Sequence, residues 1–274
     1  MNETVIRPLT LTLDDAAALL AVERVSLQDS QYTAAEALAV LHQPDHWAYV
    51  AGPKDACVGF LFCFLSPGPD GPQLELDMLG VAPEHRRRGL ASRLVDYACQ
   101  QAAQRGVTRA RAIVERGNSA SRCAFERAGL HVDQRAQFNV YEIGGNCPLD
   151  FVPSGWSWHK TQDGELTLAG LRLAARGPFG WLHWLTDGSQ QIIAAAECLR
   201  VTTLSYRGLW IERLWGGDER SGRLLARAAV EQAKAEDLDE VGYLQVTPAK
   251  SSVWPGWERE GFVLIGEYDV MRRG

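Results

Sequence analysis

The sequence lacks both a basic excess and a long apolar run. Its 28 lysines and arginines are outnumbered by 34 acidic residues, which leaves a formal net charge of −6. Proteins that hold nucleic acid through its phosphates usually carry a clear basic excess, so this charge argues against a nucleic-acid partner. No apolar stretch approaches the roughly 18 residues of a membrane-spanning helix. We therefore expect neither a nucleic-acid partner nor a membrane partner.

Paired cysteines and a secretory leader are also missing. The six cysteines include no C-x-x-C pair, and no zinc-ligand spacing occurs. Scattered cysteines of this kind are typical of reduced thiols rather than of a disulfide framework or a metal site. The start, MNETVIRPLTLTLDD, has no charged, apolar and small-residue zones in order. These absences predict a cytoplasmic protein without a bound metal.

Strand and helix patterns alternate along the first half of the chain. The segments ACVGFLFCFLS, QLELDMLGV and RARAIVE indicate strands, and QFNVYEI is the last strand of the series. Helical periodicity follows Asp14 and occurs again from about Gly89 to Arg105. This alternation predicts an α/β sheet with helices packed on it.

The stretch EHRRRGLASRL places three arginines directly before a glycine and the start of a predicted helix. The first turn of a helix has N–H groups without intrahelical partners and carries about half a positive charge. Gly89 would let the backbone approach an anion closely, and Arg86, Arg87 and Arg88 would add donors suited to phosphate oxygens. A diphosphate fits this arrangement better than a nucleoside triphosphate, because no G-x-x-x-x-G-K-[ST] loop is present. The alternative is a solvated basic loop that only caps the helix.

The second half of the chain repeats the order of the first. When Gly89 is placed on Gly222, LGVAPEHRRRGLASRLVDYA aligns with ERLWGGDERSGRLLARAAVE. After a one-residue gap, Gly129 aligns with Gly261. Two signals in the same order at matching separation indicate an internal duplication, although any two strand–loop–helix units share some similarity.

Glycine and proline concentrate between residues 144 and 155, so the predicted domains are 1–145 and 150–274. The second domain is shorter at its beginning and has no clear room for the two helices that follow the first strand of the other copy. Its alignment also changes the residues of the arginine loop and of the strand before it. The changes are Glu219 for Arg86, Leu224 for Ala91, Gly208 for Glu75 and Trp210 for Asp77. We interpret this domain as a degenerate copy.

The arginine loop resembles the acyl-CoA signature of the GCN5-related N-acetyltransferase (GNAT) superfamily. That signature has the form R/Q-x-x-G-x-G/A, filled here by Arg86, Gly89 and Ala91. The later NSASRCAFERAGL is similar to the second segment of the family, in which an Asn starts a helix that ends near a Gly. The resemblance implies an α/β fold of two tandem GNAT-like domains, each with a mixed, mostly antiparallel sheet flanked by helices.

The resemblance also implies acetyl-CoA as co-substrate. The acceptor would be a small-molecule amine or a peptide amine, and the protein would be a monomer or a homodimer. The residues expected to contact acetyl-CoA are Leu79, Val81, Arg86, Arg87, Arg88, Gly89, Leu90, Ala91, Ser92, Asn118 and Phe125.

The family's reaction requires a proton acceptor, because an amine with a pKa near ~10.4 is almost wholly protonated at neutral pH. Alternation along QLELDMLGV places Glu75 and Asp77 on the same face as Val81. Members of the family often have a general base here, and Glu75 is the first candidate. The alternative is a solvent-facing side of the strand or a salt bridge. A backbone N–H at a splayed strand end, between Leu79 and Val81, would stabilise the oxyanion.

One residue departs from the family pattern. Phe125 stands where the family commonly has a tyrosine that protonates the leaving thiolate. Ser121, Cys123, Tyr141 or water would then supply the proton, or none would be needed. Phe125 either contacts the pantetheine arm or lies in the core. The sequence therefore predicts an acetyl-CoA-dependent N-acetyltransferase, and the alternative is an acyl-CoA-binding regulatory or scaffolding module without turnover.

Overall fold

The computed structural model describes residues 4–27, 32–53, 56–68, 70–144, 154–175, 180–216, 218–247 and 260–274. The chain divides into two compact units that are not continuous in sequence. Unit 1 comprises Met1–Gln134, Thr203–Ser205 and Tyr268–Gly274. Unit 2 comprises Arg135–Thr202 and Tyr206–Glu267. Of the predicted boundary segment 144–155, residues 145–153 lie outside the described residues.

The regular elements alternate as the sequence predicts. In the first half they are β1 (Val5–Pro8), α1 (Leu13–Ser26), α2 (Ala34–Leu41), β2 (His46–Gly52), β3 (Gly59–Gly68), β4 (Gly71–Val81), a 3-10 turn (Pro83–His85), α3 (Leu90–Ala103), β5 (Arg109–Glu115), α4 (Ser119–Arg127) and β6 (His131–Glu142). The later ones are β7 (Ser157–Thr161), β8 (Glu165–Leu168), β9 (Leu171–Ala174), β10 (Gly180–Thr186), β11 (Ile192–Thr202), β12 (Arg207–Gly216), α5 (Glu219–Ala235), β13 (Glu240–Thr247) and β14 (Val263–Arg273). None of the described helices has the length and apolar content that crossing a membrane requires.

The sheet of unit 1 has the order β1-β2-β3-β4-β5-β14 and is antiparallel except for the β4–β5 pair. Helix α3 forms because its apolar residues recur at three- and four-residue intervals, which gives one buried stripe. Leu90, Leu94 and Ala98 belong to this stripe. Leu94 and Ala98 pack with strand residues such as Leu74 and Leu76 in the main core of unit 1.

The final strands of the two halves are exchanged between the units. Residues Arg135–Glu142 of β6 pair with β13 in unit 2, whereas residues Tyr268–Arg273 of β14 pair with β5 in unit 1. Arg273 anchors the end of β14 by donating hydrogen bonds to Asp96 (3.2 Å) and to the carbonyl oxygen of Ala128 (2.8 Å). QFNVYEI, the last strand of the predicted series, therefore pairs in unit 2. Both final strands have strand patterns, and a pattern does not specify which sheet a strand joins.

In unit 2 the strand order is β6-β13-β12-β11-β10-β7, and α5 packs on these strands. A hairpin of β8 and β9 is present where unit 1 has α1 and α2, as the short beginning of this domain suggested. Leu173 of the hairpin packs with Leu182 and Ala195 of the sheet in a separate small core.

The β3–β4 pair of unit 1 and the β11–β12 pair of unit 2 each contain a β-bulge at the same place. In unit 1, Cys63 pairs with Leu76 and Phe62 pairs with Met78, so Asp77 of β4 has no residue opposite it on β3. In unit 2, Cys198 pairs with Ile211 and Glu197 pairs with Arg213, so Glu212 of β12 is the extra residue. Both cysteines next to the bulge are fully buried. The two copies therefore share a bulge with a carboxylate on it and a cysteine beside it.

Unit 2 contains a buried histidine. His183 on β10 is 1% exposed, and neither ring nitrogen has a hydrogen-bond partner among the described residues. The ring stacks on Trp158 with a centroid distance of 5.5 Å. Burial, together with the charge of Lys160, lowers the pKa of His183 to about 4. The native state therefore holds this imidazole neutral well below its ordinary pKa.

The free energy of unfolding should consequently fall as the pH drops from about 6.5 to about 4. In this window the unfolded state binds a proton that the native state excludes, which costs about 3 kcal/mol of stability by pH 4. Urea unfolding measured across this range should show this loss of stability. The variant H183F keeps a ring against Trp158 and should lack the part of the loss that comes from protonation of His183. Parallel stability curves for H183F and the unaltered protein would contradict this assignment.

Candidate active site

The N-terminus of α3 is open and has no side-chain cap. Gly89 is the N-cap residue, in the left-handed region with φ 74°, and a Cβ added to it would meet no atom within 4 Å. The first intrahelical hydrogen bond runs from the Arg93 N–H to the Gly89 carbonyl oxygen, at 3.1 Å. The N–H groups of Leu90, Ala91 and Ser92 therefore precede the helical ladder and lie at the positive end of the helix dipole.

The three arginines lie in the exposed loop before this terminus. Arg86 donates from Nε to the Val81 carbonyl oxygen (3.0 Å), and Arg88 donates to that of Glu84 (3.1 Å). Arg87 has a positive φ of 59°, which is uncommon for a residue other than glycine. Backbone N–H groups in such a left-handed turn form a concavity that suits anions. The structure thus brings the predicted loop residues together at one helix end.

The corresponding terminus in unit 2 is closed. Asp218 is the N-cap of α5 and forms a capping box with Ser221, accepting from its backbone N–H at 2.8 Å. The hydrogen bonds from Ser221 lower the pKa of Asp218, and Glu219 adds a second carboxylate in the first turn. Leu224 is buried in the core of this unit. The α5 terminus is thus satisfied by its own side chains and carries negative charge where an anion would bind.

The bulge at Asp77 reverses the alternation of side chains along β4. On β3, Phe64, Phe62 and Phe60 lie on one face, and their partners on β4 are Glu75, Met78 and Gly80. The other face carries the β4 residues Leu74, Leu76, Leu79 and Val81. The expectation that Glu75 shares a face with Val81 is therefore wrong, because one inserted residue moves every later side chain to the opposite face.

Glu75 lies in a buried ion pair. Its two carboxylate oxygens accept from Nε of Arg111 at 3.1 and 2.9 Å. Gln73 also donates to this carboxylate at 2.9 Å, and the Ser66 hydroxyl donates to it as well. The side chains of Glu75 and Arg111 are only 4% and 5% exposed. The geometry is that of the salt bridge named above as the alternative to a general base.

Strands β4 and β5 separate directly after this ion pair. Their parallel pairing covers Gln73, Leu74 and Glu75 on β4, and the last pair is Glu75 with Arg111. Beyond it β4 continues to Val81 paired only with β3 among the described strands. The segment Leu76–Val81 therefore has one edge without a ladder partner, which is the predicted splay. Asp77, half-buried, lies at the start of this open segment.

The remaining predicted residues belong to α4 or to unit 2. Asn118 caps α4 by accepting from the Ser121 N–H at 3.0 Å. Phe125 is 3% exposed and packs in the main core of unit 1, as the second interpretation of this residue expected. Cys123 is exposed on the same helix. Tyr141 is buried in the core of unit 2, where its ring lies 5.6 Å from that of Phe262.

Sequence reasoning missed two residues, Glu23 on α1 and Gly80 where β4 meets α1. Glu23 is fully buried and continues the apolar stripe of α1 after Ala16, Leu19 and Leu20. A carboxylate on a stripe of this spacing is a signal that the sequence already contained. Gly80 is the second case, since a Cβ there would collide with Ser26 Oγ at the end of α1. Helix α1 therefore packs closely on the open segment of β4.

The bulge also corrects the alignment of the two copies. Glu75 lies two residues before Asp77, and Trp210 lies two residues before Glu212. Trp210 therefore corresponds to Glu75 and Glu212 to Asp77, so the predicted correspondence with Gly208 and Trp210 is displaced by two residues. Loops of different length between bulge and helix cause this displacement, which an ungapped alignment cannot register.

One family model matches most of the first copy. Residues 14–130 match the family model described as "Acetyltransferase (GNAT) family". This match confirms the resemblance inferred from the arginine loop. No curated protein sequence matches the chain.

Solved structures extend the similarity over nearly the whole chain. A GCN5-related N-acetyltransferase from Sphaerobacter thermophilus aligns at 13% identity over 98% of this chain and 95% of its own, with a TM-score of 0.62. A tandem GNAT protein from the clavulanic acid biosynthesis pathway aligns at 14% identity over 99% and 98%, with a TM-score of 0.57. Identities this low establish the fold alone, and they confirm the predicted class of two tandem α/β domains with mixed, mostly antiparallel sheets.

If the N-terminus of α3 holds an anion, replacement of Gly89 should weaken its binding. G89A would put a methyl group into the open space before Leu90, and we expect affinity for coenzyme A to fall roughly tenfold or more, as measured by calorimetry. G106A is the matched control, because Gly106 is also exposed, has φ 82° and has no atom near its missing Cβ. Both variants should lose on the order of 1 kcal/mol of stability from backbone strain. Equal affinities for the two variants would place the anion elsewhere.

Proposed function

We propose that this chain, whose residues 14–130 match the acetyltransferase (GNAT) family model, is an acetyl-CoA-dependent N-acetyltransferase. It moves the acetyl group to an amine by direct attack within a ternary complex. Unit 1 carries the activity. The observation that supports this most strongly is the uncapped N-terminus of α3 in the same unit as the open segment of β4.

The α3 terminus and the open segment of β4 bind different parts of acetyl-CoA. The diphosphate of acetyl-CoA is held by the N–H groups of Leu90, Ala91 and Ser92 and by the arginine loop, because these donors are uncapped and positively charged. The apolar residues Leu79 and Val81 contact the arm that leads to the thioester. An N–H of the open segment of β4 stabilises the oxyanion that forms when the amine attacks.

The reaction is an acyl transfer that needs no other reactant. The nitrogen lone pair forms a bond to the carbonyl carbon, the C–S bond breaks, and coenzyme A leaves as the thiolate. The proton lost by the amine passes to a carboxylate, directly or through water. Asp77 is the better acceptor of this proton, because it is half-buried on the open segment, whereas both oxygens of Glu75 are engaged by Arg111.

Protonation of the thiolate has fewer candidates than the sequence allowed. Phe125 has no proton to give and lies in the core, and Tyr141 is packed in unit 2. Ser121, Cys123 or water supplies the proton, or the thiolate leaves without one. Phe125 is also the observation that favours the second candidate function, an acyl-CoA-binding module without turnover.

The acceptor is a small-molecule amine or a peptide amine, and the net charge of −6 favours a cationic one. A panel of amines with acetyl-CoA, followed by thiol release, tests the function. Turnover with at least one amine supports the enzyme. Binding of coenzyme A without turnover of any amine supports the binding module instead.

Replacement of Asp77 should separate chemistry from binding. D77N should lower kcat by about 10²-fold, the usual size of a general-base contribution. Its affinity for coenzyme A, measured by calorimetry, should remain unchanged. The matched control is E212Q, which alters the carboxylate on the corresponding bulge of unit 2 and should leave kcat unchanged. A D77N variant with normal kcat would exclude Asp77 as the proton acceptor.

A further inference from the structure

We propose that the buried Glu75–Arg111 ion pair is a positioning device, which fixes the point where β4 and β5 separate and so holds the open segment of β4 in place for the reaction. Glu75 would then not be the proton acceptor. This inference rests on the proposed function of unit 1, and it assigns to Arg111 a role that sequence reasoning did not give it.

The ion pair lies at the point where β4 and β5 separate. Glu75 and Arg111 face each other in the last paired rung of β4 and β5. The next residue but one, Asp77, is the bulge, and the unpaired edge of β4 continues to Val81. A contact at this rung therefore determines where the two strands diverge. Any slip of β5 along β4 would shift the point of separation relative to Asp77 and the open N–H groups of β4.

The hydrogen bonds of the pair make it rigid. Nε of Arg111 reaches both oxygens of Glu75, and the Ser66 hydroxyl and the Gln73 amide donate to the same carboxylate. Ser66 lies on β3 and Gln73 on β4, so one carboxylate links three adjacent strands. A carboxylate that accepts from three side chains in a buried position is oriented rather than available to a substrate amine.

The second copy shows that the fold does not require this pair. At the corresponding rung of unit 2, Trp210 of β12 is opposite Gly242 of β13. A Cβ on Gly242 would lie only 3.1 Å from the Trp210 ring, so the indole packs over the glycine. Buried ion pairs are costly to desolvate and are often replaced by apolar residues without loss of stability. The costly pair is present in the copy with the open α3 terminus and absent from the copy whose α5 terminus is closed.

The central experiment neutralises the pair without leaving a buried charge. The variant E75Q/R111M keeps the side-chain volumes similar and removes both charges. We expect it to fold, to bind coenzyme A within about threefold of the unaltered protein, and to lose about tenfold or more in kcat. The single variant E75Q leaves Arg111 charged and should be less stable, so the double variant decides the question if E75Q does not fold.

The pH dependence distinguishes positioning from proton transfer. If Asp77 accepts the proton, the acidic limb of kcat/KM against pH should persist in E75Q/R111M at a lower level, and it should be absent from D77N. Loss of the acidic limb in the double variant, with the limb intact in D77N, would make Glu75 the base and overturn the inference.

A measurement without substrate keeps the inference separate from the proposed function. Amide hydrogen exchange of residues 76–81 in the substrate-free protein should become faster in E75Q/R111M. The matched control is D70N/R109M, which removes the exposed ion pair of Arg109 with Asp70 (2.8 Å) at the other end of the same strand pair. It should change neither exchange nor kcat. If no amine is turned over, the proposed function fails and exchange alone decides the inference. Unchanged exchange in E75Q/R111M overturns it.

Discussion

The extra residue in β4 is the constraint on which the candidate site depends. Side chains alternate along a strand, so the insertion of Asp77 sends Glu75 to one face and Val81 to the other. On the Val81 side, Leu79 packs against the core that includes α3. On the other side, Gly80 meets the end of α1 and Glu75 meets Arg111. Without the bulge, the end of β4 would present the opposite set of side chains to α3 and to the separation from β5.

The two copies differ in how the helix after the bulged strand begins. In both, a helix follows the bulged strand after a short loop. The helix of unit 1 begins at a glycine with no side-chain cap, whereas that of unit 2 begins at Asp218 with a capping box and a neighbouring Glu219. A capping carboxylate satisfies the same N–H groups that a phosphate would bind, and it opposes a second anion by charge. The second copy therefore has the same bulge, but the terminus of its helix is satisfied by its own side chains.

The two units also differ at the rung that Glu75 and Arg111 occupy in unit 1. Unit 2 fills this place with Trp210 over Gly242, an apolar arrangement that buries no charge. Unit 1 has an ion pair linked to Ser66 and Gln73. Both arrangements pair the same two strands. A hydrogen-bonded charge fixes direction more strictly than an indole does, so the side chains of this rung are oriented more strictly in unit 1.

Local features of this protein were determined by the sequence alone. The arginine loop, Gly89 at the start of α3, the strand and helix order and the duplicated pattern could all be predicted, because each depends on the backbone preferences of a few neighbouring residues. The tertiary structure alone decided the bulge at Asp77, the pairing of Glu75 with Arg111 and the exchange of β6 and β14. These depend on which distant strands meet and in which register, and such pairings are selected by the packing of the whole core. A period-two pattern is the same whichever sheet the strand joins, so the pattern cannot predict which sheet that is.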